Sequence, residues 1–191
     1  MQALYTPYKK PEGGKILIAE PFLKDAYFSR SVVLLAEHND EGSFGLIINK
    51  PIANLKVSEV IKDFPQFDCP VYLGGPVKND SVFYIHSRGE LIENSTKIND
   101  NLYFGGDVEQ VKEMILLNKI ASNEIKFYIG YSGWNPKQLE KELKEKSWLV
   151  VDCKNHNFLE DTPQVLWNNI LKKMGNEYTY WSLSPIDPQL N

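Results

Sequence analysis

Short apolar runs separated by glycine, proline and acidic residues occupy much of the chain, and this pattern indicates strands. The runs SVVLLAEH (31–38) and FGLIINK (44–50) flank NDEGS, which predicts a hairpin with a loop of four or five residues. The runs VYLGG (71–75) and VFYIHS (82–87) flank PVKNDS and predict a second antiparallel pair. Further strands are predicted at 101–106, 124–131 and 148–152.

Helical spacing of apolar residues occurs between these runs, at 57–64, 108–115, 135–146 and 163–174. Residues that favour helix starts precede two of these segments. Asp107 precedes one of them, with Gln110 placed as its capping-box partner. Asn135 begins another as its capping residue, with Pro136 at the first helical position and Gln138 as capping-box partner.

Strands grouped in pairs, with helices inserted between the groups, predict an α+β fold. A doubly wound parallel sheet needs regular alternation of strand and helix, which the first half of the chain lacks. We therefore expect a mainly antiparallel β core flanked by helices, with the sheet either open or curled towards a barrel. A length of 191 residues suits one domain spanning 1–191. Irregular segments are expected at about 1–14 and 176–191.

Charge and cysteine content narrow the classes of function. The chain has 21 Lys and Arg against 25 Asp and Glu, a formal net charge of −4, which disfavours direct binding of nucleic acid. Cys69 and Cys153 lie far apart, without a C-x-x-C motif, so we expect reduced thiols, no metal site and no cofactor. We find neither a signal peptide nor a long uncharged apolar stretch. The expectation is therefore a cytoplasmic protein that does not span a membrane.

Glycine-bearing turns follow apolar runs at 41–45, 73–77, 104–107 and 130–134. Each turn can be explained by a backbone position that tolerates no side chain. Alternatively, several turns meet at one end of the sheet and line a groove where helix starts attract an anion. The residues predicted to line this binding groove are Asn49, Gly74, Gly75, Pro76, Gly130, Tyr131, Gly133, Trp134 and Gln138.

Candidates for catalysis are few. Ser132 lies in GYSGW, but a hydrolase nucleophile elbow needs a small residue where Trp134 stands. His38 and His86 each end a predicted strand, from which an imidazole could face the groove as a general base. A structural or surface role is the alternative for both histidines. No dinucleotide-binding or P-loop glycine pattern is present.

Three motifs follow one another along the chain: GLIINKP (45–51), YLGGPV (72–77) and GYSGWNPKQLE (130–140). On these motifs the chain resembles the YqgE/AlgH family of small bacterial proteins over nearly its whole length. The resemblance implies an α+β fold with a groove lined by the shared motifs. Members are commonly labelled transcriptional regulators, so it also implies a regulatory role, with no defined reaction or cofactor. Ser132 stands where the family usually has alanine, and Lys137 stands where glycine is frequent.

The combined pattern favours a regulatory or accessory protein that binds a small molecule or a protein partner in the predicted groove. Trp134, Asn49 and Gln138 would contribute to binding beside backbone donors. The first alternative is an enzyme that uses His38 or His86 as a general base. Direct DNA binding is the third alternative, and the charge balance disfavours it.

Overall fold

A computed structural model describes residues 6–7, 10–153 and 156–185, and within them the chain forms eleven strands and five helices. The strands are β1 (Thr6–Pro7), β2 (Ile16–Ala19), β3 (Val32–Asn39), β4 (Gly42–Ile47), β5 (Pro51–Lys56), β6 (Pro70–Leu73), β7 (Val77–His86), β8 (Thr96–Asn99), β9 (Leu102–Phe104), β10 (Ile125–Trp134) and β11 (Trp148–Asp152). The helices are α1 (Val57–Val60), α2 (Val108–Leu116), α3 (Gln138–Lys144), α4 (Pro163–Met174) and α5 (Asn176–Leu183).

One large sheet contains all of these strands. Its main path runs β1-β11-β2-β3-β4-β10-β7-β9-β8, and β5 and β6 attach beside β10. Neighbouring strands are antiparallel except β6 and β10, which run parallel. The predicted α+β class with a mainly antiparallel sheet is confirmed. The barrel alternative is wrong, because in the described part of the chain the path ends at β1 and β8 without those strands pairing.

Helices cover both faces of this sheet. Alternate residues of β2 point to opposite sides: Ile16 and Ile18 pack in a cluster with α4, and Leu17 packs in a cluster with α3. A third cluster packs α2 against β6, β7 and the start of β10. The apolar residues at helical spacing in α2 and α4 therefore face the sheet, as their pattern predicted.

Strand β10 joins the two halves of the sheet. Its first half pairs with β6 along one edge and with β7 along the other, and its second half pairs with β4. The predicted antiparallel pairing of 71–75 with 82–87 is therefore wrong, since β6 and β7 lie on opposite edges of β10. Their connection, residues 74–76, crosses over that strand.

Three glycines allow the backbone to make this crossing. Gly130 has φ +66° at a register shift in β10, and a Cβ there would lie 2.4 Å from the carbonyl oxygen of Gly75. A Cβ on Gly74 would lie 2.1 Å from the carbonyl oxygen of Gly130, and a Cβ on Gly75 would lie 2.2 Å from that of Tyr131. Side chains are absent here because backbone atoms fill the space.

Three elements differ from the expectation in extent. The turn between β3 and β4 contains only residues 40–41, and α1 is a single turn. The segment expected to be irregular after about residue 176 contains α5, whose Tyr178 and Trp181 pack against the α4 cluster. Tertiary packing therefore holds a helix in a segment whose local sequence is a weak helix signal.

Helix α3 begins later than its capping residues predict. The Asn135 N–H donates to Oε1 of Gln138 at 3.0 Å, but the residue that precedes the helix is Lys137, with φ +63°. Glycine adopts this left-handed conformation without steric strain, whereas a residue with a Cβ adopts it at an energetic cost. Glycine in place of Lys137 would therefore relieve backbone strain at the start of α3.

We expect Lys137→Gly to raise the free energy of unfolding by about 1 kcal/mol, because the strain at the left-handed position is relieved. Lys141→Gly is the matched control: it makes the same change inside α3 and should lower stability by about 1 kcal/mol. Urea unfolding of both variants measures the two effects. A Lys137→Gly variant no more stable than the parent protein would contradict the prediction.

Candidate functional site

Two clefts flank the end of β10. The first, called here the hairpin cleft, has a volume of about 450 Å³ and lies between the β3–β4 hairpin and β10. Its polar lining residues are Glu37, Asn39, Glu41, Ser43 and Asn135. Its remaining lining residues are Gly42, Phe44, Val77, Tyr131, Gly133 and Trp134. The second, called the helix cleft, measures about 350 Å³ and is lined by residues including Phe28, Gly133, Trp134, Gln138, Glu142 and Trp148.

The hairpin cleft has an aromatic wall and an acidic rim. The rings of Phe44 and Tyr131 lie 4.7 Å apart, and the exposed side chains of Glu37 and Glu41 stand beside them. Gly133 lies on the same face of β10 as Tyr131, because alternate strand residues share a face. A Cβ on Gly133 would meet the Tyr131 ring at 3.0 Å, so the glycine keeps this wall open.

An aromatic patch continues from the cleft across the sheet. It consists of Phe44, Phe83, Phe104 and Tyr131, which come from β4, β7, β9 and β10. Ring centroids within it are 4.7 to 6.2 Å apart, and each side chain is half-buried. The patch therefore presents partly exposed apolar surface next to the hairpin cleft.

Trp134 occupies the opposite face of β10 and is 6% exposed. Its indole N–H donates to Oε2 of Glu142 at 2.8 Å, and the indole N–H of Trp148 donates to the same oxygen at 2.8 Å. The other carboxylate oxygen accepts from Nε2 of Gln138 at 2.9 Å. Glu142 on α3 thus joins two indoles from β10 and β11. This arrangement explains why a tryptophan stands at the strand-to-helix turn: it anchors α3 to the sheet.

The residues predicted to form one groove are divided between the two clefts and the strand crossing. Tyr131 lines the hairpin cleft, Gln138 lines the helix cleft, and Gly133 and Trp134 line both. Gly74, Gly75 and Gly130 contact backbone at the strand crossing, and Pro76 is exposed.

Asn49 acts as a bridge between backbone groups. Its Oδ1 accepts from the Val32 N–H at 2.8 Å, and its Nδ2 donates to the Arg30 carbonyl at 3.0 Å. Both polar atoms of the side chain therefore have backbone partners at the start of β3. Ligand binding by any of the predicted groove residues stays a prediction.

His86 is fully buried and has hydrogen bonds at both ring nitrogens. Nδ1 accepts from the Arg88 N–H at 3.1 Å, which places the proton on Nε2, and Nε2 donates to the Gly105 carbonyl at 2.8 Å. Burial lowers the pKa of His86 below its ordinary value of 6.5. The neutral imidazole is thus held in a structural role between β7 and the residues after β9.

The lowered pKa of His86 predicts a pH dependence of stability. Between the folded-state pKa and 6.5 the unfolded chain binds more protons, so the free energy of unfolding should fall as pH drops below about 6.5. His86→Gln should flatten the slope of unfolding free energy against pH between about pH 7 and 5.5. His38→Gln serves as the histidine control. An unchanged slope in His86→Gln would contradict the assignment.

His38 forms a hydrogen bond with a serine on the α3 side of the sheet. Its Nδ1 lies 2.8 Å from Oγ of Ser43, and its Nε2 lies 3.8 Å from Oε1 of Glu140. Ser43 is only 9% exposed and is paired across the sheet with Trp134, opposite the face that carries Phe44. The hydroxyl therefore faces away from the aromatic wall of the hairpin cleft. The contacts describe a tether between the hairpin and α3.

The candidate nucleophiles Ser132, Cys69 and Cys153 are all buried. The Ser132 hydroxyl donates to the Gly74 carbonyl at 3.0 Å and helps to hold the strand crossing. Burial raises the pKa of Cys69 to about 12 and that of Cys153 to about 11, which keeps both thiols protonated and unreactive.

Sequence patterns do not reveal the residues that give the two clefts their character. The alternating charge on α3 predicts a solvated face and conceals Glu142, the carboxylate that points inward. Phe44, Glu37 and Glu41 read only as parts of a strand and a turn. Two local signals could have indicated these residues. The acidic turn NDEG is the signal for the acidic rim, and the alternation of side chains along β4 is the signal for the face that Phe44 occupies.

The fold and its motifs agree with comparisons to known proteins. A family model described as AlgH-like matches residues 16–179. A UPF0301 protein from Parabacteroides distasonis is 45% identical over 183 residues, which are 95% of this chain and 92% of that protein. A UPF0301 protein from Cytophaga hutchinsonii is 42% identical over 179 residues, 93% of this chain and 98% of that protein. The chain belongs to the AlgH-like family, as its motifs predicted.

Two solved structures share the fold. The solution structure of the AlgH protein from Pseudomonas aeruginosa has a TM-score of 0.61 and 26% identity, and covers 92% of this chain and 89% of that chain. An X-ray structure of a Corynebacterium diphtheriae protein has a TM-score of 0.70 at 21% identity and covers 91% and 93% of the two chains. In the described part of this chain, no helix has the length and apolar character to cross a membrane.

Proposed function

We propose that the protein acts by binding a small molecule in the hairpin cleft, in a regulatory or accessory role. The volume of about 450 Å³ lies within the range of ligand sites, roughly 300–1,000 Å³. Phe44 and Tyr131 supply apolar surface, and Asn39 and Asn135 supply polar groups at the rim. This combination of an aromatic wall with a few polar groups is the usual composition of a binding site.

The observation that carries the proposal is the position of Gly133. A Cβ there would lie 3.0 Å from the Tyr131 ring and 3.8 Å from Val77, so a side chain would crowd the aromatic wall of the cleft, and no positive φ requires glycine at this position. Glycine therefore leaves the cleft open without being needed for a backbone turn. This differs from Gly74, Gly75 and Gly130, whose missing side chains are explained by the strand crossing.

Binding rather than catalysis is proposed because of where the candidate bases lie. Both ring nitrogens of His86 are engaged in a buried structural role, and Ser43 with His38 faces α3. A binding protein needs only the shape and chemistry of the cleft. The protein in its cell would then respond to the concentration of its ligand, which is the property that a regulatory protein requires.

A fragment screen by two-dimensional NMR on the folded protein tests the proposal. Fragments that bind should shift the backbone resonances of Gly133 and Tyr131, and Gly133→Leu should abolish those shifts by filling the cleft. Lys144→Leu, which adds the same side chain at an exposed position of α3, is the matched control. Gly133→Ala gives a milder block if the leucine variant is unstable.

The proposed function fails if no fragment perturbs the cleft and native mass spectra of protein purified from its own cells show no retained small molecule. Melting temperatures of the variants separate a blocked cleft from an unfolded protein. A retained polypeptide in those spectra, seated on the cleft in shift mapping, would instead identify a protein partner and overturn the small-molecule assignment.

A further inference from the structure

From the charges and rings around the hairpin cleft we infer that its ligand is a small organic cation, an ammonium or guanidinium compound with an apolar body. This inference rests on the proposed function, because it names the ligand class for the same cleft. Its three supports are an uncompensated acidic rim, an aromatic wall, and a lining that excludes the helix start that would favour an anion.

The rim of the cleft is acidic and lacks a basic counterpart. Glu37 and Glu41 line it, and no lysine, arginine or histidine is among the described lining residues. Within the described residues, neither glutamate has a salt bridge, and the contact to Glu37 is a 2.6 Å hydrogen bond from Nδ2 of Asn39. Exposed Asp40 at the hairpin tip adds a third negative charge. A cation entering here gains Coulomb energy that an anion would lose.

The aromatic wall favours the same ligand class. The faces of aromatic rings attract cations, and Phe44 and Tyr131 form a continuous wall with their rings 4.7 Å apart. The neighbouring patch of Phe83 and Phe104 extends this surface beyond the cleft. A charged head group near Glu37 and Glu41 would thus leave the apolar part of the ligand on the aromatic patch.

The structure also removes the reason for expecting an anion. Helix α3 starts at Gln138, three residues after Asn135, which is the last lining residue of the cleft along the chain. The free N–H groups of that short helix are therefore not part of the cleft lining. The N–H of Asn135 itself is taken by Oε1 of Gln138.

Three probes of matched shape and different charge test the inference: 2-phenylethylammonium, 2-phenylethanol and 3-phenylpropionate. Each is titrated into the folded protein while the resonances of Gly133 and Tyr131 are followed by NMR. We expect the ammonium compound to bind at least about tenfold more tightly than the anionic compound, and its affinity to fall as salt is added.

Charge variants locate the effect. Glu37→Gln with Glu41→Gln should weaken binding of the ammonium probe about fivefold to tenfold and leave the neutral probe unaffected, given the modest strength of exposed charge pairs. Glu109→Gln with Glu145→Gln removes two exposed glutamates on α2 and next to α3 and should change neither affinity. Equal melting temperatures confirm that both double variants are folded.

The outcomes separate the two proposals. If the neutral or anionic probe binds the cleft as tightly as the ammonium probe, the cationic class is overturned and the proposed function stands. If other fragments bind in the cleft but the ammonium probe does not, the cationic ligand class is overturned and the proposed function stands. A cleft that no fragment fills, together with native mass spectra without a ligand, defeats the proposed function itself.

Discussion

Gly130→Ala is expected to lower the free energy of unfolding by about 4 kcal/mol or more. The added Cβ would lie 2.4 Å from the Gly75 carbonyl oxygen and 2.9 Å from that of Val77. Both atoms are backbone, and the crossing segment is fixed between strands, so neither atom can move away without breaking strand pairing at the junction.

Gly105→Ala separates steric overlap from backbone strain. Gly105 has φ +64°, nearly the φ of +66° at Gly130, but a Cβ there would meet nothing within 4 Å. This control should lose only about 1 kcal/mol, which is the typical penalty for placing alanine in the left-handed region. Urea unfolding measures both variants. If Gly130→Ala and Gly105→Ala lower the free energy of unfolding equally, the strand crossing has room for a side chain and the steric explanation is wrong.

Glu142→Ala should lower the free energy of unfolding by about 2–4 kcal/mol, because it removes the acceptor of two buried indole N–H groups. Trp134 and Trp148 are 6% and 5% exposed, so water cannot replace the lost carboxylate without opening the contact between α3 and the sheet. Glu142→Gln keeps one acceptor oxygen and should lose less, about 1–2 kcal/mol.

The matched control for this helix is Glu145→Ala. Glu145 is exposed and lies 3.8 Å from Lys141, so its loss should change stability by less than about 0.5 kcal/mol. Urea unfolding gives the energies, and the indole N–H resonances of Trp134 and Trp148 report the lost hydrogen bonds directly. If those two resonances stay in place in Glu142→Ala, the proposed anchoring of α3 is refuted.

Local patterns predict most elements but not how the strands associate. The runs that form β3, β4, β7, β10 and β11 have strand periodicity, and α4 has helical spacing with Pro163 and Gly175 at its ends. Nothing in 71–87 shows that β6 and β7 lie on opposite edges of β10, because pairing depends on residues about 40 or more positions away. The glycines of YLGGPV mark a turn in either arrangement.

The candidate site is predictable only in part for a related reason. One motif identifies Tyr131, Gly133 and Trp134, and they do lie together beside the hairpin cleft. The acidic rim is contributed by a hairpin about 90 positions earlier, which no local pattern links to that motif. The motif predicts that Trp134 contacts a ligand, but the indole N–H of Trp134 donates to Glu142. The inward orientation of Glu142 depends on where α3 packs, which the motif does not indicate.

The central place of β10 has a consequence for how the protein is made. Strands β4, β6 and β7 precede β10 along the chain, and all three pair with it. At a translation rate of about 5–20 residues per second, roughly 50 residues separate the end of β7 from the end of β10, a delay of about 2–10 s. During this interval the nascent chain carries three apolar strands, each with the edge that later pairs with β10 still unpaired. Chaperone demand should therefore be concentrated in this window, before the sheet assembles cooperatively around its late central strand.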